Sequence, residues 1–479
     1  MKSGMECSKL MWDYIRTELE DVVGADNVST GIADLITHGS DMFWLSTQMT
    51  ARGHVPAMPD IVVSPGCVDE VSKVLVIANY YKIPVIPVGG ASGSQGGITP
   101  VKGGISLDMK RMNRVLEIDE QSMAITVEAG INFQQLEWIA NERGYSLMHL
   151  PSSITCSTAG GFLAHNGIGV LSTKYGKIDD QCIWVEAVIP DGTVLQSSPV
   201  PKHSSGPYLK EIFLGSEGTF GVITRAKFKL FKIPEARLFR AFLFKDLTSG
   251  IAAGRDMMAE FKPSILRLYD EPETRSIIRK IIGIEKPGAF MNMAVDGIAK
   301  IAGIEMEKTM EICCGKYGAE DLGSDYGEKW WQHRVTFFYP GYYFKYPQMY
   351  GTMDSCALYK DIEKVYWAMK EAVESNFPEA RFIAHFSHWY EWGCMIYDRF
   401  VIEKAPEDPM EAMRLHNRIW RAGVRAALAN GGIINDHHGV GFKLGSLMKE
   451  QYGQSMMVYE GLKKLFDPNG IMNPFKMGV

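Results

Sequence analysis

The sequence lacks the features that mark several other classes of protein. No apolar run approaches the roughly 20 residues needed to span a bilayer, and no basic stripe interrupts a charge distribution that sums to −6. We therefore expect neither a membrane span nor a nucleic-acid partner. Glu6, Asp13 and Glu18 interrupt the region where a signal peptide would carry its apolar core, so we expect a cytoplasmic protein.

Cysteine patterns typical of metal sites are also missing. The eight cysteines are scattered, and none forms a Cys-x-x-Cys pair. Neither an iron–sulfur cluster nor a zinc framework is indicated. Cys313 and Cys314 are neighbours, and we interpret them as buried thiols because adjacent cysteines rarely bridge each other.

What is present is typical of a globular protein with a sizeable core. The chain has 479 residues, of which 46% are hydrophobic and 22% charged. This length is enough for two or more domains.

Glycine is concentrated between Pro84 and Gly104, in the stretch PVIPVGGASGSQGGITPVKGG. A helix is predicted over 68–81 and a strand over 85–88, and five glycines and two serines then fall within nine residues. Glycine allows backbone to approach a ligand closely and to present successive N–H groups on one concave side. The stretch suits a pyrophosphate, although taken alone it could equally be a flexible surface loop.

Two more glycine-rich loops make the ligand interpretation stronger. They are Pro151–Gly169, which precedes a predicted strand over 182–190, and Phe213–Ile223, which leads into a predicted strand over 226–230. Three such loops, each next to a strand, are hard to explain as independent flexible tips. Together they predict one extended cofactor crevice lined by backbone amides.

Beyond Pro234 the composition changes. Residues 330–350 are densely aromatic and include Arg334, Tyr342 and Lys345. Aromatic side chains at this density are usually core, but this mixture also suits the wall of a pocket for an organic substrate. A long helix is predicted from 411 to 429, followed by the polar sequence NDHHGVG at 435–441.

Four motifs follow one another along the chain. They are PVGGASG, then PSSITCSTAGGFLAHNGIG followed by KYGKIDD, then FLGSEGTFGVITRAKFKL, and finally the tail DPNGIMNP. In these motifs the chain resembles the vanillyl-alcohol oxidase / para-cresol methylhydroxylase (PCMH) superfamily of flavoproteins. The resemblance implies an α+β protein that binds FAD. It would have a PCMH-type FAD-binding domain of two α+β subdomains at 56–234 and a cap domain on an antiparallel sheet at 235–430. An N-terminal helical segment at 1–55 would precede them, and a C-terminal segment at 431–479 would return to the FAD domain.

The same resemblance assigns cofactor-binding positions. Since the first loop contains no histidine to which FAD could be attached, we expect a non-covalent cofactor. The residues expected to contact FAD are Pro87, Val88, Gly89, Gly90, Ala91, Ser92, Gly93, Ser94, Pro151, Ser152, Ser157, Thr158, Gly161, Ala164, Asn166, Gly167, Glu217, Gly221, Val222 and Ile223.

Within the superfamily, the C-terminal half is most similar to alkylglycerone-phosphate synthases, through PSILRLYD, HWYEWG and DHHGVG. The D-lactate/glycolate dehydrogenases share the His388 position and usually bind a divalent metal. Here Met395 and His437 stand where two of the metal ligands of that group would be, so we expect no metal. Asp436 replaces the first histidine of the synthases' triple-histidine run, which argues against a phosphate as the group bound there.

These residues predict an FAD-dependent oxidoreductase that removes a hydride from a hydroxylated organic substrate, either a 2-hydroxy acid or an alcohol. The expected catalytic residues are Tyr390, His437 and His438 as acid–base groups and Arg267 as an anion grip; those expected to bind substrate are His388, Arg334, Tyr342 and Lys345.

The sequence leaves two alternatives open, a synthase-like enzyme that uses FAD without net redox turnover and a scaffold with an inactive FAD fold. The electron acceptor, whether oxygen, an electron-transfer flavoprotein or another partner, also stays open. A homodimer is expected from the superfamily.

Overall fold

The computed structural model describes residues 9–335 and 347–479. Within these residues the strands are β1 Val28–Ser29, β2 Ile61–Val63, β3 Val85–Val88, β4 Ile105–Asp108, β5 Val115–Asp119, β6 Ala124–Glu128, β7 Tyr145–Ser146, β8 Cys182–Val188, β9 Val194–Gln196, β10 Val222–Lys229, β11 Phe231–Lys232, β12 Ala236–Phe244, β13 Ile265–Tyr269, β14 Ala289–Gly297, β15 Glu320–Gly323, β16 Met349–Leu358, β17 Arg381–Trp389 and β18 Gly393–Ile402.

The α-helices are α1 Lys9–Val23, α2 Ile32–Thr37, α3 Trp44–Ala51, α4 Val68–Tyr81, α5 Phe133–Asn141, α6 Ala159–His165, α7 Ser172–Tyr175, α8 Ile178–Gln181, α9 Lys210–Phe213, α10 Leu247–Glu260, α11 Glu271–Glu273, α12 Arg279–Ile282, α13 Ala299–Met310, α14 Asp325–His333, α15 Ile362–Glu374, α16 Pro409–Ala429, α17 Gly441–Leu444, α18 Met448–Tyr452 and α19 Met456–Phe466. No helix among the described residues is both long enough and apolar enough to cross a membrane.

A four-stranded sheet in the order β1-β2-β4-β3 carries the first glycine-rich loop. Helix α4 packs on it because Val71, Val74, Leu75 and Ala78 recur at helical spacing and are fully buried. Strand β3 pairs in parallel with β4, and the loop starts where β3 ends. The sheet therefore fixes the point at which the glycines leave the core.

A five-stranded sheet in the order β5-β6-β10-β8-β9 carries the other two loops. The second loop leads into α6, whose N-cap is Thr158, and the third ends at the start of β10. Asp191 and Gly192 form the turn between β8 and β9, where the amide of Gly192 donates to the carbonyl of Ile189 at 2.9 Å.

A seven-stranded antiparallel sheet in the order β15-β12-β14-β13-β17-β18-β16 forms the second half of the protein. Helices α10, α15 and α16 contact one face of this sheet. Alternate residues of its strands point to the opposite face, because side chains alternate along a strand. That second face is turned towards the glycine-rich loops.

Several contacts join the halves. Tyr175 on α7, for example, donates a 2.7 Å hydrogen bond to the buried carboxylate of Asp296 on β14. At the C-terminus, Met472 forms a parallel bridge with Val85 on β3. The C-terminal segment thus returns to the first sheet.

The predicted α+β class is confirmed, as are the helix over 68–81 and the strand over 85–88. The N-terminal segment contains α2 and α3 in addition to α1. One strand boundary was wrong. The strand predicted over 226–230 begins earlier, at Val222, because it pairs with β6 on one side and β8 on the other.

Candidate functional site

A cavity lies between the three glycine-rich loops and the open face of the seven-stranded sheet. Of the residues predicted to bind cofactor, only Asn166 is not on its wall. Asn166 instead ends α6 in the left-handed conformation, with φ 53°. The predicted residues that line the cavity are Pro87, Val88, Gly89, Gly90, Ala91, Ser92, Gly93, Ser94, Pro151, Ser152, Ser157, Thr158, Gly161, Ala164, Gly167, Glu217, Gly221, Val222 and Ile223.

The first loop has unpaired backbone donors where it faces the cavity. Within the described part of the chain, the N–H groups of residues 90–94 donate no hydrogen bond. A side chain at Gly90 would collide with the carbonyl oxygen of Cys156, which an added Cβ would approach to 1.9 Å. The second loop therefore packs directly on the first. A run of free amides on a cavity wall fits the diphosphate of a dinucleotide.

The histidine loop, defined as Asn435 to His438, is held by one buried carboxylate. Asp354 on β16 accepts hydrogen bonds from the amides of Asp436 at 2.8 Å and His437 at 2.9 Å. It also accepts from Nδ1 of His438 at 2.7 Å, and its Oδ2 lies 3.2 Å from Nδ1 of His437. Both imidazoles line the cavity. One acid thus fixes the backbone of the loop and the His438 ring by hydrogen bonds, and its charge lies beside the His437 ring.

The two histidines differ in charge preference. Burial favours the neutral form of both, but for His437 the nearby carboxylates of Asp354 and Asp436 outweigh burial and raise its pKa. For His438, burial and the neighbouring His437 lower the pKa despite the same carboxylate of Asp354. The site therefore favours a protonated His437 beside a neutral His438.

Arg267 on β13 enters the cavity from the seven-stranded sheet. Its guanidinium lies 5.0 Å from the ring centre of Trp330, and its Nη1 is 3.5 Å from Nε2 of His385. Its Nε is buried and has no hydrogen-bond partner among the described residues. Glu273 binds His385, at 3.1 Å from Nδ1, and also Arg399, so both of those side chains are already engaged. Arg267 keeps a donor free for a ligand.

His388 lines the cavity, but both of its ring nitrogens have partners. Nε2 is 2.7 Å from the carbonyl oxygen of Gly169 in the second loop, and Nδ1 is 3.0 Å from the hydroxyl of Ser387. Burial, with a smaller contribution from Arg267, lowers its pKa well below the ordinary value. His388 is thus a neutral ring that links the seven-stranded sheet to the second glycine-rich loop by a hydrogen bond.

Tyr390 is not on the described cavity wall. Its hydroxyl donates to Asp436 Oδ1 at 3.2 Å, and its ring stacks on Trp392 with 4.8 Å between centroids. Burial and the Asp436 carboxylate raise its pKa well above the ordinary value. Asp436 Oδ2 is in turn 3.5 Å from Nδ1 of His437. Tyr390 therefore reaches the histidines only through Asp436.

Among the remaining residues predicted to bind substrate, Arg334 lines the cavity. Its guanidinium lies 4.0 Å from the ring centre of Trp331, and burial lowers its pKa. Tyr342 and Lys345 lie outside the described residues.

Several cavity residues were not found from the sequence. Some follow from strand alternation once β13 and β18 are known, since Tyr269 shares a face with Arg267, and Tyr397 shares one with Arg399. Others had no signal, in particular the N-terminal residues from Asp41 to Trp44. The main residues missed are Asp41, Met42, Phe43, Trp44, Tyr269, Glu273, His385, Tyr397, Arg399, His416 and Lys443.

One group of side chains has the spacing of metal ligands. Donor atoms of Asp354, His437 and His438 lie within 4.8 Å of one another. Both carboxylate oxygens of Asp354 already accept hydrogen bonds, however, from the loop amides and from Nδ1 of His438. We therefore interpret the group as a hydrogen-bonded carboxylate–histidine unit.

Comparison with known families gives two matches that together cover most of the chain. Residues 59–198 match the FAD binding domain family, and residues 233–477 match the C-terminal domain of FAD linked oxidases. The first match contains the first two glycine-rich loops, and the second contains Arg267, His388 and the histidine loop.

Individual relatives extend over nearly the whole chain. The FAD-linked oxidoreductase YgcU of Escherichia coli K12 is 32% identical over 95% of this chain and 96% of its own length. The alkyldihydroxyacetonephosphate synthase of Dictyostelium discoideum is 29% identical over 89% of this chain and 74% of its own length. The mitochondrial D-lactate dehydrogenase [cytochrome] of Arabidopsis thaliana is 28% identical, over 88% of this chain and 73% of its own length.

Solved structures agree with these matches. An alkyldihydroxyacetonephosphate synthase has a TM-score of 0.81 at 26% identity, over 97% of this chain and 86% of the other. p-Cresol methylhydroxylase has a TM-score of 0.80 over 99% of this chain and 98% of the other, and at 16% identity it shows the shared fold alone.

Proposed function

The chain belongs to the FAD-linked oxidoreductases, and we propose that it removes a hydride from a hydroxylated organic substrate, a 2-hydroxy acid or an aromatic or aliphatic alcohol. FAD is its cofactor, as the matched FAD binding domain indicates. The observation that carries the proposal is that one cavity contains the free amides of the first loop, both histidines of the histidine loop and Arg267.

FAD, when bound, supplies the hydride acceptor, and the protein must supply the proton acceptor and hold the substrate. His438 suits the role of base. Because the Asp354 carboxylate can only accept, Nδ1 of His438 is the donor in their 2.7 Å hydrogen bond, and Nε2 keeps its lone pair. Its lowered pKa maintains the neutral form that can take a proton from a substrate hydroxyl.

His437 and Arg267 suit the binding of negative charge. The raised pKa of His437 favours its cationic form next to the base, where it would stabilise an alkoxide that develops as His438 takes the proton. Arg267 presents an unpartnered Nε from β13, a strand of the same sheet that carries Asp354, and a guanidinium can bind a carboxylate through two parallel hydrogen bonds. This arrangement favours a 2-hydroxy acid over a neutral alcohol.

For Tyr390 we propose an indirect part in the acid–base group. Its hydroxyl donates to Asp436, which lies beside His437. Tyr390 would thereby hold Asp436 in the position that keeps His437 charged.

A second candidate is a synthase-like reaction without net redox turnover. It is favoured by the similarity to alkyldihydroxyacetonephosphate synthases over most of the chain. Against it, Asp436 takes the place of the first histidine in the synthases' triple-histidine run, so one group that would bind a phosphate there is missing.

Anaerobic mixing separates the two candidates. Oxidised enzyme is mixed with hydroxy acids, phenylpropanoid-type alcohols and glycerone phosphates while flavin absorbance is followed. Lasting bleaching by a hydroxy acid or an alcohol supports hydride removal, whereas ether exchange without lasting bleaching supports the synthase-like reaction. If none of these compounds changes the flavin absorbance, the result would favour a scaffold with an inactive FAD fold.

Other properties expected from the sequence stay predictions. Denaturation should release the flavin if the cofactor is non-covalent. Reoxidation by oxygen or by an electron-transfer flavoprotein would identify the acceptor. Light scattering would test the homodimer, and fractionation would test the cytoplasmic location.

A further inference from the structure

The segment from Asp41 to Trp44 lies on the cavity wall, although it falls outside both regions matched by known families. It connects α2 to α3, and no motif marks it in the sequence. Phe43 and Trp44 are only 2% and 3% exposed. Two large aromatic side chains are therefore buried next to the loop that fits a diphosphate.

Backbone and carboxylate contacts fix this segment to the first glycine-rich loop. The amide of Met42 donates to the carbonyl of Gly93 at 2.8 Å. Asp41 accepts from the amide of Gly97 at 2.9 Å and from the amide of Phe43 at 3.0 Å. The segment thus has a defined position relative to the loop amides that face the cavity.

Packing orients the Trp44 ring. The indole stacks on the imidazole of His416 with 5.2 Å between centroids and 4° between planes. Phe43, on the same segment, meets the ring of Phe442 edge-on at 5.5 Å. Because His416 belongs to α16 and Phe442 to α17, Trp44 is held from the C-terminal half while its own backbone follows the first loop.

One polar atom in this packed region has no partner. Nε1 of Trp44 is buried and donates no hydrogen bond within the described residues. An indole nitrogen can only donate, and leaving a buried donor unpaired is costly. The cavity that Trp44 lines is the one in which FAD fits, and FAD offers phosphate, carbonyl and ring-nitrogen acceptors.

We propose that Trp44 is a cofactor-binding residue whose indole N–H donates a hydrogen bond to bound FAD, with the Asp41–Trp44 segment positioning it against the first glycine-rich loop. The proposal concerns the cofactor alone. Its test uses no substrate, so its outcome is separate from that of the proposed hydride removal.

The test compares the FAD affinity of W44F with that of the unaltered protein. Phenylalanine keeps an aromatic ring against His416 but removes the donor. Flavin is removed, and FAD is titrated back while its fluorescence is followed. We expect the dissociation constant for FAD to rise about tenfold, as for the loss of one hydrogen bond to a ligand.

Two matched controls separate this effect from general damage. Trp138 is 60% exposed, and W138F should bind FAD as the unaltered protein does. Trp389 is fully buried off the cavity wall and donates to the carbonyl of Phe386, so W389F should lower stability without changing FAD affinity. An unchanged FAD affinity in W44F would overturn the proposal. If W44F does not fold, a crystal structure of the unaltered holoenzyme decides, because an Nε1 atom without an FAD acceptor within hydrogen-bonding distance would equally overturn it.

Discussion

Oδ1 of Asp354 accepts a 2.7 Å hydrogen bond from Nδ1 of His438, and the same carboxylate accepts from two backbone amides of the histidine loop. Aspartate can accept from all of these donors at once. Asparagine cannot, because its NH₂ group would face an N–H donor in either orientation. The position of the base therefore depends on one ionised side chain on β16.

We expect D354N to slow anaerobic flavin bleaching by a substrate by about a hundredfold, a loss typical of impaired acid–base catalysis. FAD affinity should change little, since Asp354 is not on the cavity wall. The matched control is D398N on β18. Asp398 alternates with the cavity residues Tyr397 and Arg399 and so faces away, and burial raises its pKa well above the ordinary value. Equal losses in both variants would contradict the positioning role.

Y390F tests whether the tyrosine acts directly. Because its hydroxyl reaches His437 only through Asp436, removing it should slow flavin bleaching by less than about tenfold. H438A should slow flavin bleaching by about a hundredfold or more. The bleaching rate is measured from pH 5.5 to 9. A loss in Y390F as large as in H438A would instead mean that the tyrosine transfers the proton itself.

R267Q should weaken the binding of an acidic substrate more than the binding of a neutral one. Loss of a bidentate guanidinium contact is expected to raise the half-saturating concentration of a 2-hydroxy acid by at least about tenfold. A neutral alcohol should respond much less. R275Q is the control, since Arg275 is exposed on the same half of the protein and, among residues 9–335 and 347–479, forms an ion pair with Glu271 alone. A uniform loss for acids and alcohols would argue against an anion grip.

Glu217 should make stability depend on pH. Burial raises its pKa to about 7, against the effects of the Gly441 amide and Lys476, while the unfolded value is about 4.3. The folded state therefore binds more protons between about pH 4 and 7, and its stability falls as pH rises through that range.

In E217Q, which cannot ionise, this decline should be smaller, by up to about 3 kcal/mol. The measurement is denaturant unfolding of the holoenzyme in excess FAD at pH 5 and pH 7.5. The neighbouring Asp41, whose pKa burial raises to about 6, also titrates in this range, and its charge contributes to the raised pKa of Glu217, so the comparison is repeated in a D41N background. Identical pH dependence in the two proteins would contradict the assignment.

Site residues that lie close together in the sequence could be predicted, whereas those that the fold brings together from distant strands could not. The glycine-rich loops were found because each is a continuous stretch with its own chemistry. Arg267 and His385 meet because β13 pairs with β17, which follows β13 by more than a hundred residues, and no local pattern gives that pairing. A register shift on β17 between Phe386 and Trp389 also interrupts the alternation of side chains that would place His388 and Tyr390.

Asp354 and Trp44 were missed for a different reason. A single carboxylate in an apolar strand, or a single tryptophan after a polar turn, is common in proteins without any function. Their importance comes from what the fold places beside them: the loop amides for Asp354 and a cavity wall for Trp44.

The bridge between Met472 and Val85 has a consequence for biosynthesis. Strand β3 is at the edge of its sheet, and the amide of Asn473 and the carbonyl of Ile471 hydrogen-bond to Val85 from its open side. During translation that edge stays uncovered until residues 471–473 have emerged, long after β3 itself. Nascent chains would meanwhile need protection against pairing of this edge with one another.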